Sequence, residues 1–130
     1  PLMTQENSHG KNAVLNIASI SSVKPESDAY YYGAFKAAVD LMTRNLSREF
    51  SPQGVRLNVI CPGPVMSNMT PKDVQENPEI QADMCKHVCS IGRLGQPKDI
   101  AYAATCLCSE EATWVTGAHF VIDGGACMMG

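Results

Sequence analysis

Tyr32 and Lys36 stand four residues apart in the stretch Tyr32-Gly33-Ala34-Phe35-Lys36. On a helix that spacing puts both side chains on one face. A phenol beside an ammonium is a candidate acid/base pair, because the positive charge favours the phenolate. Tyr30 and Tyr31 precede Tyr32, but they lie six and five positions from the lysine. Only Tyr32 has the right phase; its neighbours read as helix-start aromatics that pack on a sheet.

A serine supplies the second polar group. Ala13 to Ser19 reads as a short buried strand that ends at Ser19. Ligands of open α/β sheets sit outside such strand ends. Ser19 precedes Tyr32 by thirteen positions, and the intervening loop contains Pro25, so the chain can fold back between strand end and helix. Ser21 and Ser22 are rivals to Ser19 and read equally well as turn serines.

The remaining elements must position these groups. Ser27 or Asp28 is placed to cap the helix that carries Tyr32. Ala34, Ala38 and Leu41, with Val39, Met42 and Leu46, step by threes and fours and predict a broad apolar face, with Asp40, Arg44 and Arg48 elsewhere. Lys36 then lies in an alanine-rich, buried setting where an unpartnered charge is costly. Ser51-Pro52-Gln53-Gly54 ends the helix. Val55 to Ile60 reads as a buried parallel strand, broken by Cys61-Pro62-Gly63-Pro64 because proline cannot donate to a ladder. Met66 to Arg93 reads as a mobile, methionine-rich flap with helical pieces around Pro71 and Pro78. Pro97 opens a helix over 98–109, and Ala118 to Ile122 is a last strand, turned by Asp123-Gly124-Gly125. Asp99 and Asp123 read as structural, one at a helix start and one in a turn. Pro1 to Asn12 reads as the tail of a helix and a turn closing at Gly10. Strand, helix, strand, flap, helix, strand predicts a parallel α/β sheet.

Composition narrows the function. A length of 130 residues suits one domain. The net charge of −3, without a basic stripe, makes nucleic acid an unexpected partner. No apolar run is long enough for a membrane span. The cysteines Cys61, Cys85, Cys89, Cys106, Cys108 and Cys127 lack the spacing of a disulfide scaffold and read as reduced thiols in a cytoplasmic compartment. Within Cys85-Lys86-His87-Val88-Cys89, the two cysteines share a helix face and His87 points away, with no second ligand pair; no metal site is expected.

Five segments carry a family resemblance: Asn16-Ile17-Ala18-Ser19; Tyr32-x-x-x-Lys36; Asn58-Val59-Ile60-Cys61-Pro62-Gly63-Pro64-Val65; Arg93-Leu94-Gly95-Gln96-Pro97-Lys98-Asp99-Ile100-Ala101; and Val115-Thr116-Gly117 through Asp123-Gly124-Gly125. In this order they resemble the C-terminal half of the classical short-chain dehydrogenases/reductases. The resemblance implies a Rossmann-like doubly wound parallel sheet, with residues 1–130 forming the C-terminal part of the domain. It implies an NAD(P)-dependent oxidoreductase that interconverts a secondary alcohol and a ketone, acts on a small-molecule alcohol or carbonyl substrate and assembles as a homo-oligomer.

Site roles follow from the same resemblance. Ser19, Tyr32 and Lys36 are implied as catalytic: Tyr32 transfers the proton, Lys36 holds the nicotinamide ribose and tunes Tyr32, and Ser19 hydrogen-bonds the substrate oxygen. Tyr32, Lys36, Pro62, Gly63, Val65 and Ser67 are implied as contacts to NAD or NADP, with Val65 main-chain groups near the carboxamide. The family commonly has threonine where Ser67 stands, and a serine hydroxyl can make the same hydrogen bond. The glycine-rich turn that cradles a pyrophosphate, and the family's upstream catalytic asparagine, have no match here; Asn7 and Asn12 lie too close to Ser19. The region that selects NAD or NADP is also outside the match. The chain therefore reads as a fragment of such an enzyme, or as a catalytically inactive fragment that acts only through subunit association.

Overall fold

A computed structural model describes residues 10–27 and 29–129. The helix tail expected before Gly10, and Asp28 as a helix cap, lie outside the described residues.

Three apolar runs form one parallel sheet: β1 (Asn12–Ile17), β2 (Val55–Pro62) and β3 (His119–Ile122), in the order β1-β2-β3. Asn12 pairs with Val55 and Ile17 with Ile60; Val59 pairs with His119 and Pro62 with Ile122. Parallel neighbours need crossovers. α1 (Tyr30–Phe50) supplies the first, and α2 (Lys72–Glu76), α3 (Pro78–Val88) and α4 (Pro97–Cys108) lie within the second. β2 is the central strand and is buried from Val55 to Cys61, with α1 and α4 packed on it. Its one charge, Arg56, is buried too and donates to the carbonyls of Gly10, Leu107, Val115 and Ser109. That fan ties β2 to the end of α4 and the loop after it.

Several boundaries and faces differ from the sequence expectation. β1 stops at Ile17, two residues before Ser19, because Ser19 starts a 3₁₀ turn at Ile20–Ser22 and caps it, its Oγ accepting from Ser21 N–H. Among the described residues β1 pairs with β2 alone, and its side chains are half-buried rather than buried. β2 runs on through Cys61 to Pro62: proline is tolerated as the last strand residue, and Gly63 N–H donates to the Ile122 carbonyl at 3.0 Å. Ala29, not Ser27, is the cap residue of α1, and it makes no side-chain cap. Gly54 ends the following 3₁₀ turn in the left-handed region, with φ +81°.

The apolar face expected of α1 turns inward only in part: Val39 packs on the Ala18, Val59 and Cys61 cluster and Leu46 is half-buried, but the rest of it is exposed. The buried residues of the helix are Asp40, Thr43 and Ser47, while Phe35, Leu41 and Met42 are exposed. Ala34 and Ala38 are also exposed, so Lys36 lies at a half-buried position without the alanine-lined burial expected. Tyr30 and Tyr31 do not pack on the sheet; they are exposed and lie against each other with ring centroids 4.7 Å apart.

The segment between β2 and α4 has its own small core. Val74, Cys85, Cys89 and Leu94 are buried there, with Met66, Met84 and Val88 against them. Asn77 caps α3 through Oδ1, which accepts from Glu79 N–H at 2.9 Å. Cys85 on α3 and Cys89 just after it are buried, and His87 is exposed. All six cysteines are unpaired. Among the described residues, no helix is long and apolar enough to cross a membrane, and no three His, Cys, Asp or Glu side chains are grouped to hold a metal ion.

Candidate active site

The first two turns of α1 lie across the C-terminal end of β1. Two contacts fix this. Gly33 rests on the Ser21 carbonyl so closely that a Cβ there would stand 2.7 Å from its oxygen. Lys36 Nζ donates to the Ile17 carbonyl at 3.1 Å. Ser19 sits between Ile17 and Ser21 in the chain, so both contacts bring it beside the helix start. The Tyr32 ring centroid is 5.6 Å from Lys36 Nζ, within cation–π reach, and Tyr32 is 45% exposed. One ammonium thus touches the strand end and faces the phenol.

Ser19 is buried and held at both of its oxygens. Its carbonyl accepts from Ser22 Oγ at 2.6 Å, and its hydroxyl lies 3.1 Å from Ser21 Oγ. Ser21 Oγ in turn donates to Glu26 Oε2 at 2.7 Å. The same loop is anchored far along the chain: Lys24 Nζ donates to the carbonyls of Ala126 and Met129, at 2.8 and 2.7 Å.

Beneath the site runs a polar seam that the sequence reading did not anticipate. His119 Nδ1 donates to Asp40 Oδ2 at 2.9 Å, and Asp40 Oδ1 accepts from Arg44 Nε at 3.1 Å. His119 Nδ1 is also 3.7 Å from Cys61 Sγ, which is 3.7 Å from Ser22 Oγ. Burial pushes the Cys61 thiol up from its ordinary range; the Ser22 hydrogen bond opposes this and the Asp40 charge adds to it. Cys61 thus links Ser22 to His119 in the seam, in surroundings that favour its thiol over the thiolate. Asn16 Nδ2 donates to Thr43 Oγ1 at 2.8 Å and closes the seam against β1. One signal was in the sequence: Lys36, Asp40, Thr43 and Ser47 are spaced four, three and four, a second helical stripe.

The loop after β2 forms the neighbouring wall. Gly63 is needed for packing, since a Cβ there would fall 2.5 Å from Asp123 Cβ. Val65 pairs with Gly95 in a parallel bridge, made by Gly95 N–H to Pro64 O at 2.9 Å and Met66 N–H to Gly95 O at 2.8 Å. In that pattern the flanking residues carry the pairing, and Val65's own N–H and C=O point the other way. Ser67 Oγ accepts from Met69 N–H at 3.2 Å, and among the described residues its proton has no acceptor. Ala18 N–H donates to the Ile60 carbonyl at 2.8 Å, so the Ser19 turn and this loop leave adjacent strand ends together.

The two aspartates read as structural are so placed. Burial disfavours the Asp123 charge, but N–H groups of Cys127 and Gly125, at 2.7 and 2.8 Å, hold its carboxyl below the usual range. Asp99 is held at about 2 by the Arg93 guanidinium, 2.6 and 3.2 Å away, and then by Gln96 N–H.

A family model described as enoyl-(acyl carrier protein) reductase matches residues 1–127. Over 119 residues the chain is 39% identical to the inactive 2-(S)-hydroxypropyl-CoM dehydrogenase 2 of Xanthobacter autotrophicus, covering 88% of this chain and 51% of that protein. Over 117 residues it is 34% identical to the 7alpha-hydroxysteroid dehydrogenase of Escherichia coli, covering 90% and 45%. Among solved structures, 4-hydroxyisoleucine dehydrogenase complexed with NADH superposes with a TM-score of 0.83 at 34% identity, covering 93% of this chain and 49% of that one. The chain spans about half the length of the curated relatives it matches.

Proposed function

Because the chain belongs to the short-chain dehydrogenase/reductase family, we propose that it forms the C-terminal part of an NAD(P)-dependent oxidoreductase that interconverts a secondary alcohol and a ketone. The observation that carries this reading is the Lys36 ammonium, 3.1 Å from the Ile17 carbonyl and 5.6 Å from the Tyr32 ring, at the strand end that also bears Ser19.

The residues fit a nicotinamide nucleotide. Val65 N–H has no partner among the described residues, and its carbonyl meets only Thr70 Oγ1 at 3.5 Å. An amide donor and acceptor side by side suit a carboxamide, and the Ser67 proton adds a donor. Lys36 offers remaining N–H donors to ribose hydroxyls. The bound cofactor, NAD or NADP, supplies hydride chemistry. The chain's own part is positioning and proton transfer. Tyr32 exchanges the proton of the alcohol. Lys36 steadies charge on the phenol. Ser19 orients the substrate oxygen.

The substrate is a small alcohol or carbonyl compound; the methionines between β2 and α4 suit steroid, acyl or sugar-derived alcohols. The exposed aromatic face of α1 supports a homo-oligomer, and six unpaired cysteines support a cytoplasmic setting.

In the full-length protein, Tyr32→Phe should abolish turnover and leave cofactor affinity within about twofold. Steady-state kinetics with a 7alpha-hydroxysteroid, a sugar alcohol and a 3-hydroxyacyl ester, alongside cofactor titration, is the measurement. Near-normal turnover by the variant would sink the assignment. The second reading is a catalytically inactive chain that acts through subunit association. It draws on a relative named as inactive and on the open face of α1. Wild-type protein that binds cofactor, self-associates and turns over none of the three alcohols would favour it.

A further inference from the structure

We propose that Ser21, engaged by Glu26, is a positioning residue that draws the Ser19 hydroxyl proton away from the substrate oxygen and so weakens substrate capture. The inference rests on the reading of Ser19 as the group that orients that oxygen. Three side chains form a chain: Ser19 Oγ lies 3.1 Å from Ser21 Oγ, and Ser21 Oγ lies 2.7 Å from Glu26 Oε2.

The direction of each bond follows from proton count. An ionised carboxylate only accepts, and a serine hydroxyl has one proton to give. Ser21 spends its proton on Glu26, the charged and therefore stronger acceptor. The only proton left for the 3.1 Å contact is that of Ser19, so Ser19 donates to Ser21. The Ser21 backbone N–H also donates to Ser19 Oγ, at 3.2 Å. Ser19 then meets the site with a lone pair and no hydrogen.

A substrate oxygen needs the opposite. A ketone oxygen has no proton, and an alcohol's proton goes to Tyr32. In both directions of reaction the oxygen can only accept from Ser19. It must win that proton from Ser21. Only the molecules in which Ser19 has turned toward the site bind productively, and apparent affinity falls by that fraction. An amide in place of Glu26 reverses the chain. Its N–H₂ donates to Ser21, Ser21 donates to Ser19, and Ser19 donates to the substrate.

The experiment is steady-state kinetics on the full-length protein, with whichever of the three alcohols named above is turned over fastest and with its ketone. Ser21→Ala and Glu26→Gln should each lower KM severalfold and leave kcat within about twofold. A purely structural role would raise KM, or lower kcat and thermal midpoint together. KM unchanged or raised in both variants overturns the proposal. Ser19→Ala separates the two readings: near-normal kcat/KM in that variant removes the Ser19 role itself and this inference with it.

Discussion

Helix α1 has two faces of opposite construction. Toward the sheet it presents Lys36, Asp40, Thr43 and Ser47; toward solvent it presents Tyr31, Phe35 and Met42, with Tyr31 73% and Phe35 72% exposed. An ordinary amphipathic helix does the reverse. The inner face holds by matched hydrogen bonds: among the described residues no buried side-chain nitrogen or oxygen lacks a partner. Such a face specifies register, because a shift by one residue would strand every group at once. The outer face specifies nothing yet and is the kind of patch that other protein surface covers.

The contrast can be broken by mutation. Asp40→Ala should cost about 2–4 kcal/mol, since it leaves the His119 and Arg44 donors without their acceptor. Phe35→Ala should stay within about 0.5 kcal/mol in this chain. Urea denaturation of both variants decides the matter; a loss at Phe35 equal to that at Asp40 would mean that the outer face is packed after all. Next in size, Tyr31→Ser combined with Phe35→Ser should reduce self-association, read by sedimentation velocity across a concentration series. An unchanged distribution would place the contact elsewhere.

Thr43→Val should cost about 1 kcal/mol, because Asn16 Nδ2 loses its acceptor while the volume is kept. A thermal midpoint equal to wild type would show that the seam adds no specificity there. The smallest effect sharpens the comparison with a charge pair at the surface. Asp99 is held at about 2 in the folded chain, against ~3.9 when unfolded. Its contribution is complete above pH ~4 and drains away as pH falls toward ~2. Asp99→Asn should flatten that part of the stability profile, as urea midpoints across the range would show. An unaltered slope would assign the acid loss to other carboxylates.

Local signals in the sequence were strong where one residue type does one job. Gly54 ending a turn, Pro97 opening α4 and the Tyr32–Lys36 phase are each set within a few residues, so spacing exposes them. The parallel α/β order was legible for the same reason. The inward turn of the polar stripe on α1 was not. Ala34, Ala38 and Leu41 make an apolar stripe as regular as the polar one, and only the His119 and Asn16 partners, 79 and 27 residues away from their contacts on α1, select which stripe turns inward. β1 was expected to be buried because its residues are apolar; its half-burial depends on what pairs beside it, which no local pattern encodes. Arg56 carries no local signal inside an apolar strand, because its four carbonyl acceptors lie far along the chain, at Gly10, the end of α4 and the loop after it.

The Lys24 contacts have a temporal consequence. Lys24 reaches carbonyls 102 and 105 residues later in the chain. At about 5–20 residues per second during synthesis, roughly 5–20 s separate its appearance from theirs. Through that interval the Ser19 loop has no distal anchor, and closing so long a loop is among the slower steps open to a chain of this size. The loop gains this anchor only after Ala126 and Met129 have been made.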